Sequence, residues 1–407
     1  MKNSEPLGFE PLKSPFRWAV LTGIWLAYYC FGLPIVTLAP LVTEITSDLD
    51  ISNSEMGTIL GAWQLVYIAS AVPLGILLDR IGVRRAIMFA FTMIAISVVS
   101  RSNAEGFTSL FIAVAIFGLG GPLISVGAPK SISLWFDDSE RGFAMGIYMT
   151  APSLGSMTGL SLTNSLFMPM LEGDWRSVLL LYATFIFSTG LVWCLITAHK
   201  QYKVIEEQQS RRRPGSEHKN ILRLLKIPAF QIVLTMAIGI FFFNHGLNNW
   251  LPTLLQEKNI SLTRAGFWSA ISMLSGVIGL LIIPSIARHG YRIVILAVIF
   301  IIASSTTFAL IVFTDYPLYF SLIVSSIVRA PMMPILTLML METKGVGSIR
   351  MGAAGGLFFT AAEIGGVSGP FIIGVIRDRA GTMDLGLIVL GTFVALLILL
   401  LPILKEN

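Results

Sequence analysis

Gly75-Ile76-Leu77-Leu78-Asp79-Arg80-Ile81-Gly82-Val83-Arg84-Arg85 is the stretch on which the reading of this chain turns. A long apolar run ends there in an acid, a base, a glycine and two more bases. Gly75 lets a neighbouring helix backbone come close. Asp79 can cap a helix N-terminus or pair with a nearby Arg. Gly82 suits a tight turn, and the bases mark where the apolar run stops. The stretch therefore reads as a sharp, charged turn between two long apolar segments.

Those segments are part of a pattern that fills the chain. Of its 407 residues, 55% are hydrophobic and only 13% charged. A soluble domain averages ~25% charged residues. The mean hydropathy of +0.79 agrees. Too little polar surface exists to wrap a water-soluble globule of this size. Two cysteines are too few for a secreted disulfide scaffold, and the hydrophobicity excludes disorder. A polytopic membrane protein remains. A bilayer needs about 20 apolar residues per helix. Twelve candidate spans follow, at 18–43, 55–78, 85–101, 108–135, 143–170, 177–198, 228–255, 265–287, 293–313, 317–341, 352–376 and 385–404. The runs are continuous, whereas barrel strands would show as ~10-residue alternating segments. The expected fold is all-α.

Lys and Arg set the orientation. With both termini in the cytoplasm, 20 of the 28 basic residues fall inside, 6 outside and 2 (Lys130 and Arg329) within spans. The first span follows Lys13 and Arg17, is too long for a signal-peptide core and lacks a small-residue cleavage site, so it reads as a retained helix. The expected setting is a plasma membrane, as in a bacterial inner membrane, crossed many times by a monomer. The basic run at 199–227 reads as a topology-setting linker. The net charge of +5 is thus no sign of a nucleic-acid partner. Cys30 and Cys194 lie in spans and read as free thiols.

The chain also repeats itself. Gly142, Gly146, Gly155 and Gly159 match Gly352, Gly356, Gly365 and Gly369, each pair 210 residues apart. Ile51-Ser52 and Gly57 match Ile260-Ser261 and Gly266, and Arg80, Gly82 and Arg84 match Arg288, Gly290 and Arg292. The expected domains are a six-helix half at 1–198, the cytoplasmic linker at 199–227 and a second six-helix half at 228–407. Parallel halves related by an axis along the membrane normal are a transporter architecture.

With the repeat in place, the opening stretch resembles the signature loop of the major facilitator superfamily, G-x-x-x-D-R-x-G-R-R, with Val83 between Gly82 and Arg84. The second copy keeps Arg288, Gly290 and Arg292 but lacks the acid. Trp250-Leu251-Pro252 with Ile260-Ser261 and Ala265-Gly266, and Gly118, Gly120, Gly121, Pro129 and Phe136, are similar to the cyanate and nitroimidazole permease branch. Trp135-Phe136 with Glu140-Arg141-Gly142 resembles that branch and the organic-anion symporters. The resemblance implies twelve helices in two pseudo-symmetric halves. It also implies a gating role for Gly75, Asp79, Arg80, Gly82, Arg84, Arg85 and Arg141, and a cavity lined by spans one, four, seven and ten.

Three ionisable residues fall inside spans, where each costs several kcal/mol unless paired or wet. Lys130 is in span four, Arg329 in span ten and Glu363 in span eleven. Spans four and ten are repeat-equivalent, so one cation per half would face the path. That suits an anion, and Arg offers a fork for a carboxylate. Lys130 can equally snorkel to the nearby cytoplasmic end. Glu363 has Ser153 as its repeat mate and can carry a proton or pair permanently with Arg329. Asn244, His245 and Asn248 in span seven, Tyr28 in span one, and Gln64 and Tyr67 in span two can orient a polar solute or tie helices together.

No Walker loop, H-E-x-x-H, C-x-x-C or G-x-S-x-G motif occurs, and the four histidines are scattered. Neither enzyme chemistry, a cofactor nor a metal site is expected. The expected function is secondary active transport of a small solute, anionic and organic-acid-like, by symport or exchange with protons. The competing expectation is a proton-driven efflux pump for drugs or metabolites.

Overall fold

The computed structural model describes residues 14–211, 221–343 and 346–404. Twelve helical spans run back and forth between two ends. They are α1 (Phe16–Val36), α2 (Asn53–Ile81), α3 (Val83–Ser102), α4 (Phe107–Trp135), α5 (Asp138–Leu162), α6 (Trp175–Ala198), α7 (Pro228–Glu257), α8 (Leu262–Ile286), α9 (Arg292–Val312), α10a (Asp315–Arg329) with α10b (Met332–Glu342), α11 (Gly347–Ala380) and α12 (Asp384–Leu396). No strand occurs among the described residues. Eleven of the spans are long and apolar enough to cross a membrane by composition alone. The exception is α5, whose sequence is diluted by Asp138, Glu140, Arg141, glycines and serines. The end bearing the Asp79–Arg85 turn is called the inner end below.

Local chemistry sets the helix starts. Ser52 accepts the Glu55 amide, and the Glu55 carboxylate reaches back to Ser52, closing a capping box at α2. Asp137 and Asp174 cap α5 and α6 with their side chains. Two expected spans differ from those found. The first stops at Val36 rather than 43, and Ala39–Leu41 and Val42–Leu49 form a separate outer element with Ile45 and Leu49 buried. The tenth is broken at Ala330 and Pro331, because Pro331 has no amide to donate and Pro334 follows it.

The internal repeat is visible in the backbone. Gly82 (φ 86°) and Gly290 (φ 92°) both turn through the left-handed region that a Cβ disfavours. Asp50 and Asn259 do likewise just before the two Ile-Ser pairs, at φ 50° and 62°. Glu172 and Gly381 form a third such pair, also 209 residues apart.

The matched glycines split into two groups. Gly155 faces the backbone of α1 at Tyr29 and Leu33, while Gly365 and Gly369 face that of α7 at Ile238 and Phe242. These contacts lie within a half. Gly142 and Gly146 instead face the carbonyls of Pro284 and Leu280 in α8, and Gly352 and Gly356 face Gly75 and Ala71 in α2. These contacts cross between the halves, at the inner end. The two halves are thus closed on each other there, backbone against backbone.

The expected linker contains a helix, Lys200–Arg211, and a short turn, Ile221–Leu224; its centre, with Arg212, Arg213 and Lys219, lies outside the described residues. Tyr202 is buried against Trp135 and Trp193, with ring centroids 5.7 and 6.0 Å apart. Arg84 pairs with Glu206 at 3.7 Å. The linker helix is therefore docked on the inner end of the first half.

Candidate functional site

Two polar constellations stand out. The first is at the inner end, where Asp79 is only 4% exposed. Its Oδ1 accepts the Gly352 amide at 3.0 Å and its Oδ2 the Ala353 amide at 2.9 Å. Lys130 Nζ donates to Asp79 Oδ1. Of the two expectations for Lys130, facing the solute or reaching the nearby cytoplasmic end, the structure places it at that end, in a buried ion pair. Gly75 is what lets α11 come near enough for these bonds, since a Cβ there would meet the Gly352 carbonyl. The carboxylate joins α2 and α4 of one half to α11 of the other. Its partner is a lysine and two amides rather than the arginine that the loop itself offered.

The other loop residues surround this knot. Gly82 makes the turn, Arg84 holds the linker helix, and Arg80 and Arg85 are exposed. Arg141 pairs with Asp138 at 2.5 Å and donates to the Phe136 carbonyl at 3.3 Å. Arg17 bridges to Glu140 at 2.7 Å, tying the start of α1 to α5. The second copy of the loop lacks the acid but keeps an ion pair of opposite sense: Arg292 pairs with Glu342 at the end of α10b, and His289 lies 3.9 Å from the same carboxylate.

The second constellation sits half-way along the helices. Arg329 is the last residue of α10a, directly at the break, and is 4% exposed. Its Nη1 donates to Asn248 Oδ1 at 2.9 Å and, at 3.4 Å, to Asn244 Oδ1. Its Nη2 donates to Ser326 Oγ at 3.1 Å. The guanidinium also stands 6.0 Å from the Phe243 ring centre. Its Nε is buried with no partner. Asn248 is exposed while Arg329 is not, so the pair lies on the border of the buried interior. The helix break has a consequence: the last carbonyls of α10a point towards Arg329's own end, a favourable place for a cation.

Glu363, at the middle of α11, is 7% exposed. Among the described residues it joins no ion pair, and Oε2 is buried without a hydrogen bond. The fixed Arg329–Glu363 bridge, one of two expectations, is not formed. A Cβ on Gly366 would lie 3.3 Å from His245 Nδ1 and 3.4 Å from Glu363 Oε2, so the two groups flank one glycine. His245 stacks on Phe241 with centroids 4.9 Å apart.

Across from Glu363 stand the phenols of Tyr28 and Tyr67 in the other half, within its electrostatic reach, with Ser125 beside both. Tyr28 packs edge-on to Tyr148, 5.2 Å between centroids, and the Tyr148 hydroxyl is buried without a partner. Gln64 is half-buried one turn from Tyr67.

Tyr28 and Tyr67 are thus brought towards Glu363, with His245, and Asn244 and Asn248 are brought to Arg329. Lys130 is not brought to this group. Ser326 and Ser125 were missed. Ser326 was within reach of inference, being three residues before Arg329 on one helix face. Ser125 gave no signal in an apolar stretch.

Comparison with known proteins adds a name to this architecture. The description "Major Facilitator Superfamily" fits residues 24–370. The hexuronate transporter of Bacillus subtilis is 23% identical over 368 residues, covering 84% of this chain and 83% of that protein. A quinolone resistance transporter of Acinetobacter baumannii is 23% identical, covering 84% and 82%. The fucose:proton symporter of Escherichia coli superposes with a TM-score of 0.78 at 15% identity, over 98% of this chain and 100% of that one. The similarity to that structure is one of fold. The chain belongs to the Major Facilitator Superfamily, and is a membrane transporter and not an enzyme.

Proposed function

We propose that this protein is a secondary active transporter of a small organic anion, working by alternating access with protons as the coupling ion. The observation that carries the reading is Arg329: a buried cation at a mid-span helix break, oriented by Asn244, Asn248 and Ser326, with no carboxylate partner among the described residues and an Nε–H that donates to none of them. A fork so held is suited to a carboxylate arriving from solution. The hexuronate carried by one relative is an acid of this kind.

Glu363 is the proton carrier in this reading. An ionised carboxyl without a counter-ion is costly in a membrane interior, and protonation relieves that cost. His245, Tyr28 and Tyr67 are the groups through which the proton is exchanged with the path. The halves 1–198 and 228–407, joined by the 199–227 linker, rock as units in a monomer, with both termini and the Asp79 knot on the cytoplasmic side. The structure is then the state shut towards the cytoplasm. Lys130 works in that knot, holding Asp79 in place, and the remaining loop residues Arg80, Gly82, Arg84, Arg85 and Arg141 shape the same gate.

Uptake of radiolabelled organic acids into proteoliposomes tests the assignment. Arg329→Gln should abolish uptake while expression and melting behaviour stay close to those of the wild type. Unchanged uptake would remove Arg329 from the site.

One observation favours a second reading, proton-driven efflux. Phe31, Trp63, Tyr67 and Phe117 pack together in the first half, Phe31 and Phe117 stacked 5.3 Å apart. An aromatic wall suits a flat, apolar solute, and one relative is a quinolone resistance transporter. Drug sensitivity of cells overexpressing the protein separates the two readings.

A further inference from the structure

The charge inventory of the interior narrows the solute further, on the reading that Arg329 binds it. Four basic side chains are buried among the described residues: Arg101, Lys130, Arg292 and Arg329. Two of them are paired with carboxylates, and a third, Arg101, whose Nε is also buried without a hydrogen bond, lies away from mid-depth. Lys130 holds Asp79 and Arg292 holds Glu342, both at the inner end. Arg101 is at the outer end of α3, where Nη1 donates to the Pro34 carbonyl at 2.8 Å. Its guanidinium stands 5.4 Å from the Phe117 ring centre. Phe117 in turn stacks on Phe31, which packs edge-on to Tyr28. An aromatic layer therefore separates Arg101 from the central tyrosines. Among the described residues, Arg329 alone of these four is a cation at mid-depth without a carboxylate.

The other polar groups at that depth are amides, hydroxyls, the Glu363 carboxyl and the His245 imidazole, which stacks on Phe241. Asn244, Gln64, Tyr28, Tyr67, Tyr148 and Ser125 offer amides and hydroxyls. Glu363 repels a second anion when ionised and accepts or donates a hydrogen bond when protonated.

We infer that the transported solute is a monocarboxylate, gripped by its one carboxylate at Arg329 and met elsewhere by neutral hydrogen-bonding groups. A dicarboxylate would leave its second carboxylate in the interior without a counter-charge, facing Glu363. This departs from a symmetric two-cation grip, which the sequence suggested and which would have suited a dianion. The sugar acids make a sharp comparison. Gluconate and glucuronate each carry one carboxylate on a six-carbon polyol frame, and glucarate carries both.

The test is ligand-induced thermal stabilisation of the purified full-length protein, since a ligand of the folded state raises its melting temperature. The probes are matched acids at one pH: D-gluconate and D-glucuronate against D-glucarate, benzoate against phthalate, and butyrate against succinate. In the pair or pairs that bind, the monocarboxylate should reach half-saturation at a concentration at least about tenfold lower than its dicarboxylate partner. Equal or tighter binding of the dicarboxylate overturns the inference while leaving the anion reading intact, provided Arg329→Gln removes that binding. If no acid of either charge stabilises the wild type, the anion reading fails and takes the inference with it.

Discussion

Asp79 and Gly352 are 273 residues apart in the chain and joined by a 3.0 Å hydrogen bond from the Gly352 amide to the carboxylate. The bond spans the two halves of the bundle. It sits where Gly75 and Gly352 bring α2 and α11 into backbone contact, and where Lys130 neutralises the acid. The same carboxylate is thus a joint between halves and the sole ionic partner of a buried lysine among the described residues.

Removing that acid should open the joint. Asp79→Ala leaves Lys130 buried without its partner, at a cost of about 3–5 kcal/mol. The expected result is a lower melting temperature and a shift towards the state open at the inner end. A cysteine placed at Ser133, half-buried one turn from Lys130, should then react faster with a water-soluble maleimide. No change in labelling would show that the joint does not hold the closed state.

The two groups of glycines should respond differently to a methyl group. At Gly142 a Cβ would collide with the Pro284 carbonyl across the halves, and at Gly155 with the Tyr29 carbonyl within one half. Overpacking costs about 1–3 kcal/mol where backbone must yield. Gly142→Ala should spare the fold and disfavour closure at the inner end, which labelling reports. Gly155→Ala should lower the melting temperature without that labelling change.

Loss of one amide should weaken Arg329's grip without abolishing it. Asn248 accepts at 2.9 Å, the shorter of the two amide bonds. A hydrogen bond to a charged group contributes about 1.5–3 kcal/mol. Asn248→Ala should raise the half-saturating solute concentration about tenfold or more, with the maximal rate less affected. Transport kinetics in proteoliposomes measure both.

Glu363→Gln should separate proton coupling from binding. The glutamine keeps the shape and cannot carry a proton. Counterflow exchange of solute should persist, while accumulation driven by an imposed pH gradient should vanish. Accumulation that survives removes Glu363 from the coupling. A monocarboxylate moving with one proton carries no net charge, so wild-type uptake should respond to the pH gradient and not to an imposed membrane potential.

Acid should loosen the start of α5. Asp137 lies in the loop before that helix, and its carboxyl is held below its ordinary value, first by the Ser139 hydroxyl and then by the Glu140 and Ser139 amides. A lowered folded-state value means the contribution is fully present above the unfolded value, about pH 3.9, and lost as pH falls through the folded one. Asp137→Ala should cost about 1 kcal/mol near neutrality. The gap in melting temperature between wild type and variant should narrow below about pH 3.9, as the wild-type carboxyl takes up its proton.

The amino-acid sequence alone determined the membrane setting, the number of spans, the duplication and the tight turn at Gly82, with Gly290 as its match. These are properties of composition, run length and backbone permissiveness, and each is carried by neighbours along the chain. It also marked Lys130, Arg329 and Glu363, because charge within an apolar run is costly wherever the helix packs. What each charge does was a matter for tertiary structure. Lys130 and Arg329 occupy equivalent spans, yet one lies beside Asp79 and the other beside Asn244 and Asn248. Glu363 could have met Arg329, and instead shares the flank of Gly366 with His245, its Oε2 buried without a hydrogen bond. The glycine ladder read as one motif, and packing divided it into contacts within a half and contacts between halves. Partners that lie tens to hundreds of residues away are chosen by helix rotation and crossing, which local periodicity leaves open.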